Sequence, residues 1–420
     1  MRRLGLVAII LLGLFLRIAY SQTVSDIQGR LDYPEYVFAA AEIQRGDFTF
    51  SSDIFQLHPP VFPMLLAALN QEKPLIHAVN ILFSIAVIPL TYVLARQLGL
   101  GQTTALVAAG IVALDPTSVK YAGSVLAEPL ASLLLALAYI CLAVLKSTRQ
   151  RQTVLTRGFL AGLAIVLSAL TRPSAYLLWI PMGLWIMFAR RGKEANILAV
   201  FALVLPAVLG VGLWKYHNSV YYNNSSFTSI GTFNLLHHRA ASVLYQATVK
   251  DIQAVQLSLV ERVESKLGND TVGLTSHDHW NHRTGSAEQQ SAMTEVALEV
   301  FLTHPLHYLL TIPVGLYRLL IEVTQWSPLL SIGWNVPFLA LSAVGIGRFA
   351  RERRWAASAF LLLPCVYFIA GTLIVQTSSI DTRARIMVTP LLAVMAAYGI
   401  MYLLNRRRAA SDFPSRPAGS

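Results

Sequence analysis

The segment Ala195–Leu213, ANILAVFALVLPAVLGVGL, decides the fold class, because it has no charged side chain over nearly the length of a membrane-spanning helix. Such a helix needs about 20 predominantly apolar residues. Nine similar stretches with little or no charge lie elsewhere in the chain: Leu4–Tyr20, Pro74–Leu94, Thr104–Leu114, Pro129–Leu145, Phe159–Leu170, Ala175–Phe188, Ile332–Ile346, Ala356–Val375 and Ile386–Leu404. The sequence therefore predicts an all-α polytopic membrane protein with about ten transmembrane helices.

The composition supports this class. Hydrophobic residues make up 55% of the chain and charged residues only 13%, which is too apolar for an ordinary soluble enzyme. Met1-Arg2-Arg3 and the following apolar run also fit a signal peptide, but the length of the run favours a retained helix. The two cysteines, Cys141 and Cys365, lie inside apolar stretches and offer neither a disulfide framework nor a metal-binding spacing.

The charge distribution sets the predicted orientation. With ten spans and the N-terminus inside, the inner segments hold 18 of the 33 basic residues but only three of the 22 acidic ones, Glu194, Glu352 and Asp412. Loops rich in basic residues stay in the cytoplasm. Both termini are therefore predicted on the cytoplasmic side of the cytoplasmic (inner) membrane. An eleventh span at Leu306–Val323 would turn Arg348–Arg354 outward, and we therefore predict an interfacial helix there. The net charge of +11 reflects this topology and does not indicate a nucleic-acid partner.

Four regions follow from the predicted topology. Residues 1–213 form an N-terminal transmembrane module, and its first outer loop, 21–73, is the candidate catalytic segment. Residues 214–304 form an external, periplasmic cap. Residues 305–405 form the C-terminal transmembrane helices, and 406–420 are predicted to be a disordered cytoplasmic tail.

The first outer loop carries an acidic residue just beyond a membrane helix, which usually serves chemistry or transport. Asp32 precedes Pro34 at the start of a predicted helix that has an apolar face and could end at Gly46. Asp32 and Glu35 fit a capping box. Asp32 also fits a general base that the helix N-terminus keeps ionised. The corner His58-Pro59-Pro60 then re-aims the chain.

Further charged residues lie on the same predicted side. Glu128, before Pro129, fits either a helix-dipole partner or a second acid of a site. Arg172, Arg383 and Arg385 suit a phosphate, through bidentate hydrogen bonds and permanent charge. The alternatives for these arginines are snorkelling to lipid head groups and pairing with Asp381.

The segment His277–His282, HDHWNH, contains metal-ligand residue types. It lacks a fourth ligand at a fixed spacing, so a solvated loop is the preferred interpretation. A divalent metal ion stays an open alternative, and no cofactor is required by the pattern.

In their order along the chain these motifs resemble the GT-C membrane glycosyltransferases of the protein-O-mannosyltransferase and aminoarabinose-transferase type, glycosyltransferase family 39. The order comprises Asp32 with Tyr four residues later, the His-Pro-Pro corner, and the helix with His77-Ala78-Val79-Asn80. It continues with these segments: Pro116 to Glu128, Leu170-Thr171-Arg172-Pro173, Trp214 to Asn218, Thr228 to Gly231, and Arg383 to Pro390.

This resemblance implies a GT-C type bundle with outer-face loops and interfacial helices. The implied reaction moves a sugar from a polyprenyl-phosphate donor to a lipid, glycan or protein acceptor on the outer face, with inversion. Asp32 matches the catalytic base, Glu128 the second outer acid, and Arg172 and Arg383 the outer arginines, with Arg385 as a further phosphate-binding candidate. The substrate cleft is predicted to include five residues of these motifs: Tyr36, His58, Tyr121, His217 and Asn218.

Three departures from the family pattern stand out. Tyr33 replaces a common Glu, and His217 stands where relatives often have Arg. The chain also ends soon after its last apolar stretch, so no large C-terminal acceptor-binding domain is expected.

Two other functions stay open. A multi-span lipid or sugar transporter or flippase would suit ten helices with internal prolines. However, the predicted spans lack charges near their middles. An O-antigen polymerase or ligase would place its chemistry on arginine and histidine residues of the large outer loop rather than on Asp32.

Overall fold

The computed structural model describes residues 2–23, 33–145, 148, 150–189, 193–323, 326–376 and 382–411. Within these ranges the chain forms helices and turns and no strand. The α-helices are α1 (Arg2–Thr23), α2 (Tyr33–Gln44), α3 (Ile54–Leu57), α4 (Val61–Ala68), α5 (Lys73–Gln97), α6 (Gln102–Leu114), α7 (Pro116–Ala122), α8 (Glu128–Leu145), α9 (Arg151–Thr171), α10 (Trp179–Ala189), α11 (Lys193–Tyr222), α12 (Ile230–Asn234), α13 (Ala241–Thr248), α14 (Ile252–Lys266), α15 (Ala287–Thr303), α16 (Pro305–Leu320), α17 (Pro328–Arg351), α18 (Trp355–Val375) and α19 (Thr389–Ser411). Short 3-10 segments cover Pro173–Ala175, Ser276–Arg283 and Thr382–Met387, and a π-helical turn covers Leu235–Ala240.

Each of the ten predicted spans coincides with a helix. Among the described residues, seven helices are long and apolar enough to cross a membrane: α1, α5, α8, α9, α11, α17 and α18. Helices α6 and α10 are apolar but shorter, and α19 ends in a basic, polar segment. The all-α polytopic fold is confirmed, and spanning by α6, α10 and α19 stays a prediction.

Close helix packing explains how these spans form one bundle. Helix α9 packs against α8 and α11, and α17 packs against α19. A Cβ atom at Gly162 of α9 would lie 2.1 Å from the Leu203 carbonyl oxygen of α11, and one at Gly345 of α17 would lie 1.8 Å from that of Met395 in α19. Within a lipid bilayer the hydrophobic effect does not drive helices together, so they associate through close packing. Small residues such as glycine allow the helix backbones to approach this closely. Larger side chains at either glycine would separate the helices.

Helix α1 carries a charge that our sequence interpretation did not place in the interior. The fully buried Arg17 donates hydrogen bonds to Ser84 Oγ of α5 at 2.8 Å and to the carbonyl oxygens of Ala113 and Val112, at 3.1 and 3.2 Å, at the end of α6. Arg17 lies near the end of the predicted span Leu4–Tyr20, so the expectation that the spans lack charges near their middles stays a prediction. Through these hydrogen bonds the Arg17 guanidinium group links α1 to α5 and α6.

The first outer loop folds largely as its sequence predicts. Helix α2 has Pro34 in its first turn, buries Tyr36, Ala39, Ala40 and Ile43, and is followed by Gly46 at a φ of 102°. His58 is extended and links the short α3 to α4, so the His-Pro-Pro corner does turn the chain between two helices. Asp32 itself lies outside the described residues, and the proposed Asp32–Glu35 capping box lies there with it.

The region after α11 is a helical cap with its own hydrophobic cluster, formed by α13, α14, α15 and the π-helical turn. Helix α14 is the longest of the helices that line this cluster before α15. The predicted boundary after residue 213 falls inside α11, which continues to Tyr222. The predicted disorder from residue 406 is wrong as far as Ser411, because α19 continues through Arg406–Arg408, and arginine is a good helix former. Residues 412–420 lie outside the described ranges.

The stretch predicted to lie at the interface forms α16. It buries Thr311, Gly315 and Leu319 and exposes apolar side chains, Leu306, Leu309, Leu310 and Val314 among them. An amphipathic helix of this kind suits a position in the plane of the interface. That position stays a prediction.

Candidate active site

Glu128 is the point at which the predicted outer charges converge. It is the first residue of α8 and is 0% exposed. Arg172 Nη1 lies 2.5 Å from Glu128 Oε1, and Arg383 Nε lies 3.8 Å from the same oxygen. The side chains of Arg172 and Arg383 are 19% and 20% exposed, so both are partly accessible to solvent. The structure thus brings together three residues predicted for the site, from three separate segments.

The local fold explains this convergence. Helix α8 begins at Glu128 and packs against α9, which ends at Thr171, so the start of one helix lies beside the end of the other. Arg172 is the extended residue that ends α9. Arg383 belongs to the 3-10 segment that precedes α19, and this segment packs against α8.

Glu128 Oε2 is buried and has no hydrogen-bond partner among the described residues. A buried acceptor without a donor costs about 1–3 kcal/mol, and such a group in a native structure usually meets a ligand, water or ion. Arg172 and Arg383 place two positive charges beside the single carboxylate of Glu128. The arrangement suits an anion held by the arginines while Oε2 accepts from a hydroxyl group.

Arg385 does not belong to this group, which corrects its assignment to the donor phosphate. The side chain is fully buried, and its Nη2 donates to Asp115 Oδ1 at 2.9 Å and to Thr117 Oγ1 at 3.0 Å. Its Nη1 donates to Asn335 Oδ1 at 2.7 Å. With the side chain 0% exposed, this guanidinium is not open to a phosphate in the structure. Arg385 instead anchors the segment that carries Arg383.

Tyr121 and Lys120 lie in α7, between Asp115 and Glu128 in sequence. Tyr121 is buried against Leu126 and Ile386, from the same part of the chain as Glu128 and Arg383. The Lys120 ammonium group lies 4.8 Å from the centre of the Tyr121 ring and is buried as well. Our sequence interpretation missed Lys120, although a lysine so close to Glu128 on the predicted outer side was a usable signal.

Tyr36 and His58 lie together in the first outer loop, with ring centres 4.2 Å apart. His58 Nε2 is 2.5 Å from Glu35 Oε2, and Arg283 of the cap also pairs with Glu35. No local motif in the sequence indicates a role for Arg283, and the pattern predicts Glu35 only as a helix-capping residue.

His217 and Asn218 both have structural partners, and their place in a substrate cleft stays a prediction. The His217 ring stacks on Trp214, with centres 4.7 Å apart, and its Nε2 lies 2.6 Å from the Thr49 carbonyl oxygen. Asn218 Nδ2 donates to the Ser226 carbonyl oxygen at 2.9 Å. Both side chains therefore hold the first outer loop and the start of the cap against the end of α11.

The histidine-rich segment is not a solvated loop, which corrects that expectation. It forms the 3-10 segment Ser276–Arg283, in which His279 and His282 are buried. His282 Nε2 lies 2.8 Å from Glu264 Oε1, and its Nδ1 lies 2.9 Å from His237 Nε2. Because a carboxylate only accepts, His282 donates to Glu264 and accepts from His237 when both rings are neutral. Burial, then the neighbouring histidines, hold the pKa of His237 well below its usual range.

Within the part of the chain that the structure describes, no group of three or more His, Cys, Asp or Glu residues is arranged to hold a metal ion. The histidines instead pack among aromatic rings: the His237 and His279 rings lie 5.3 Å apart, and both also lie near the Phe233 ring, at 5.0 and 6.1 Å.

Comparison with known proteins places this geometry in a family context. Residues 70–222 match the model of the dolichyl-phosphate-mannose-protein mannosyltransferase family, and this range contains Glu128 and Arg172. None of the curated proteins matches the sequence significantly.

Solved structures of an archaeal oligosaccharyltransferase resemble the whole chain. The Archaeoglobus fulgidus enzyme tethered to an acceptor peptide gives a TM-score of 0.58 at 11% identity, covering 97% of this chain and 50% of that one. The same organism's AglB, bound to an inhibitory peptide and a dolichol-phosphate, gives 0.57 at 13% identity, covering 100% and 52%. The apo form gives 0.58 at 14% identity, covering 98% and 52%.

The chain spans about half the length of these oligosaccharyltransferase structures. At such low identity the likeness concerns the fold alone. Together with the family match over 70–222, it confirms the resemblance that the order of motifs predicted. The fold of this chain resembles that of the GT-C oligosaccharyltransferases.

Proposed function

We propose that this protein is an integral-membrane glycosyltransferase that moves a sugar from a polyprenyl-phosphate donor to an acceptor on the outer face of the cytoplasmic membrane. The observation that carries the proposal is the convergence of Arg172 and Arg383 on the buried Glu128. Glu128 and Arg172 lie inside the segment that matches the mannosyltransferase family model.

The site suits a phosphate that is also a leaving group. Arginine presents a planar fork of donors with a permanent charge, and the partly exposed Arg172 and Arg383 would hold the donor phosphate from two sides. Negative charge grows on that phosphate as the sugar leaves, so the same contacts strengthen in the transition state. Glu128 Oε2 would accept a hydrogen bond from a sugar hydroxyl group, which orients the anomeric carbon.

The proposed reaction is a single displacement. Asp32 takes the proton of the acceptor hydroxyl group, whose oxygen forms a bond to the anomeric carbon. The bond from that carbon to the phosphate oxygen breaks, and the polyprenyl phosphate leaves with the bonding electrons. Attack opposite to the leaving group inverts the anomeric configuration. Positioning of the two substrates and charge stabilisation supply most of the rate enhancement.

The outer location is supported by the helix directions. Helix α9 begins with Arg151 and carries Arg157 in its early turns, and these basic residues belong on the cytoplasmic side. Arg172 lies at the opposite end of α9, beside Glu128. The site would therefore face the periplasm, where a lipid-linked sugar presents its head group.

A transporter function is less well supported. Arg17, a buried charge within a membrane helix, is satisfied by Ser84 and by backbone carbonyl oxygens, so it stabilises helix packing. An O-antigen polymerase or ligase would depend on cap residues, and Asp32 would then be dispensable.

The decisive experiment uses membranes containing wild-type protein or Asp32→Asn and a panel of radiolabelled polyprenyl-phosphate sugars. We expect wild type to transfer label from one donor class to membrane acceptors, and Asp32→Asn to lose transfer while keeping its expression level. Asn caps a helix about as well as Asp, so a pure capping role predicts retained transfer. Movement of labelled donor across the membrane without transfer would support a flippase instead.

A further inference from the structure

An ion pair joins the catalytic loop to the cap. Arg283, the last residue of the 3-10 segment Ser276–Arg283, forms a bidentate pair with Glu35 in the first turn of α2, and its Nη2 lies 2.9 Å from Glu35 Oε2. His58 Nε2 contacts the same Oε2 at 2.5 Å. All three side chains are largely buried, so solvent screens this contact less than it would an exposed salt bridge.

The arginine is itself held in place. Its guanidinium group lies 5.2 Å from the Trp280 ring centre and 5.6 Å from that of Phe233. The Arg283 carbonyl oxygen accepts a hydrogen bond from Ser229 Oγ at 2.6 Å. The fork therefore reaches Glu35 from a fixed base within the cap.

A second set of hydrogen bonds joins α3, later in the first outer loop, to the same part of the cap. The Gln56 carbonyl oxygen accepts from Ser229 N at 3.0 Å and from Thr228 Oγ1 at 2.8 Å. Gln56 Oε1 accepts from Gly285 N at 3.1 Å. The loop and the cap therefore meet at two places: at the first turn of α2, through Glu35, and after the end of α2, through Gln56.

We infer that Arg283 is a positioning residue for sugar transfer, which acts through Glu35 to hold the start of α2. This inference rests on the proposed function, in which Asp32 is the base. Asp32 stands directly before α2 and three residues before Glu35, and consecutive Cα atoms are only about 3.8 Å apart. Fixing Glu35 therefore holds the first turn of the helix that directly follows Asp32 in sequence.

The consequence for catalysis is specific. A misplacement of about 1 Å in a catalytic group can cost a factor of about 100 in rate. The proposed donor contacts, Arg172 and Arg383, lie at Glu128 and are separate from the Glu35–Arg283 pair. Loss of the pair should therefore lower kcat and leave the donor KM nearly unchanged.

The test compares Arg283→Met, Glu35→Gln and the exchanged pair Glu35→Arg with Arg283→Glu, all in the full chain reconstituted in lipid. Glu42→Gln is the matched control, because Glu42 lies on the same helix and pairs with the exposed Arg45. The readouts are kcat, donor KM, and amide hydrogen exchange across Tyr33–Gln44, with thermal unfolding to check folding.

We expect Arg283→Met and Glu35→Gln to lower kcat about 10- to 100-fold, with donor KM within about threefold of wild type. Exchange in the first turn of α2 should accelerate, and the exchanged pair should recover part of both losses. Glu42→Gln should match wild type. A kcat near wild type in Arg283→Met, or a raised donor KM with unchanged kcat, would overturn the inference.

Hydrogen exchange separates this inference from the proposed function. If wild type transfers no sugar, the proposed function fails. Unchanged exchange in Arg283→Met would refute the positioning role of Arg283 by itself, whatever the activity of wild type. Faster exchange would show that Arg283 orders α2 even in a protein with another activity.

Discussion

At the scale of single residues, Arg172 and Arg383 share Glu128 unequally. The Arg172–Glu128 distance is 2.5 Å and the Arg383–Glu128 distance is 3.8 Å. Arg172 therefore compensates the buried carboxylate more directly, and its removal would leave that charge poorly paired. Arg383 is the better probe of donor binding, because it lies farther from the buried carboxylate.

We expect Arg383→Ala to weaken donor binding by about one to two factors of ten, since a charge-assisted hydrogen bond contributes about 1.5–3 kcal/mol. The turnover rate should fall too, because charge develops on the leaving phosphate. Arg383→Lys should recover part of the loss, because it keeps the charge without the fork. Donor titrations with purified protein measure these changes. Unchanged affinity and rate in both Arg383→Ala and Arg172→Ala would place the phosphate elsewhere, with Lys120 the next residue to test.

At the scale of secondary-structure elements, one buried ion pair positions two parts of the site. Asp115 accepts a hydrogen bond from Ser118 N and so caps α7, which leads towards Glu128. The same carboxylate binds Arg385, in the segment that carries Arg383. The Asp115–Arg385 pair thus fixes elements that are 270 residues apart in sequence.

Removing one partner of such a pair leaves a buried charge uncompensated, which typically costs about 3–5 kcal/mol. Arg385→Met should therefore lower the unfolding midpoint strongly in detergent. Glu322→Gln, which breaks the largely exposed Arg318–Glu322 pair, should cost less than about 1 kcal/mol. Equal midpoints for these two variants would show that the buried pair does not stabilise the bundle.

The cap is the element whose stability should depend on pH. Burial, with a smaller effect of His279, lowers the pKa of His238 from 6.5 to about 4. As the pH falls below 6.5, His238 therefore binds a proton in the unfolded cap before it does so in the folded cap. The contribution of His238 to the free energy of unfolding is therefore fully present above pH 6.5 and is lost as the pH falls towards 4. At 1.36 kcal/mol per pKa unit, the loss is about 3 kcal/mol.

Hydrogen exchange of the cap peptides, corrected for the intrinsic pH dependence, measures this effect. Protection in Leu235–Ala240 should fall between pH 6.5 and 4 in wild type. The fall should be smaller in His238→Gln, which has no group to titrate at this position. An identical slope in both proteins would assign the pH dependence to other groups.

At the scale of the whole molecule, the sequence predicted what periodic patterns and local chemistry determine. The apolar stretches located the helices, and Pro34, the apolar face and Gly46 located α2. The order of motifs also placed Glu128, Arg172 and Arg383 among the candidate site residues on the predicted outer side.

Contacts between distant segments carry no local signal, and there the sequence interpretation failed. Glu35 and Arg283 are 248 residues apart, and no spacing rule relates them. Arg385 looked like an outer arginine because its partner Asp115 lies in another helix connection. The histidines looked solvated because the aromatic residues that bury them, such as Phe233, come from another element.

Membrane topology links these scales, because the proposed site exists only if Glu128, Arg172 and the cap share the outer side. Reporter fusions at Ser147, between α8 and α9, and at Gln290, in α15 of the cap, should report opposite sides of the membrane. The physical reason is that the segments predicted on the cytoplasmic side carry an excess of basic residues, and basic segments resist transfer across the membrane. A fusion after Leu404 should agree with Ser147, since both termini are predicted inside. If Ser147 and Gln290 reported the same side, α9 and α11 could not both span as predicted, and a lipid-linked donor could not reach Arg172 and the cap from one face.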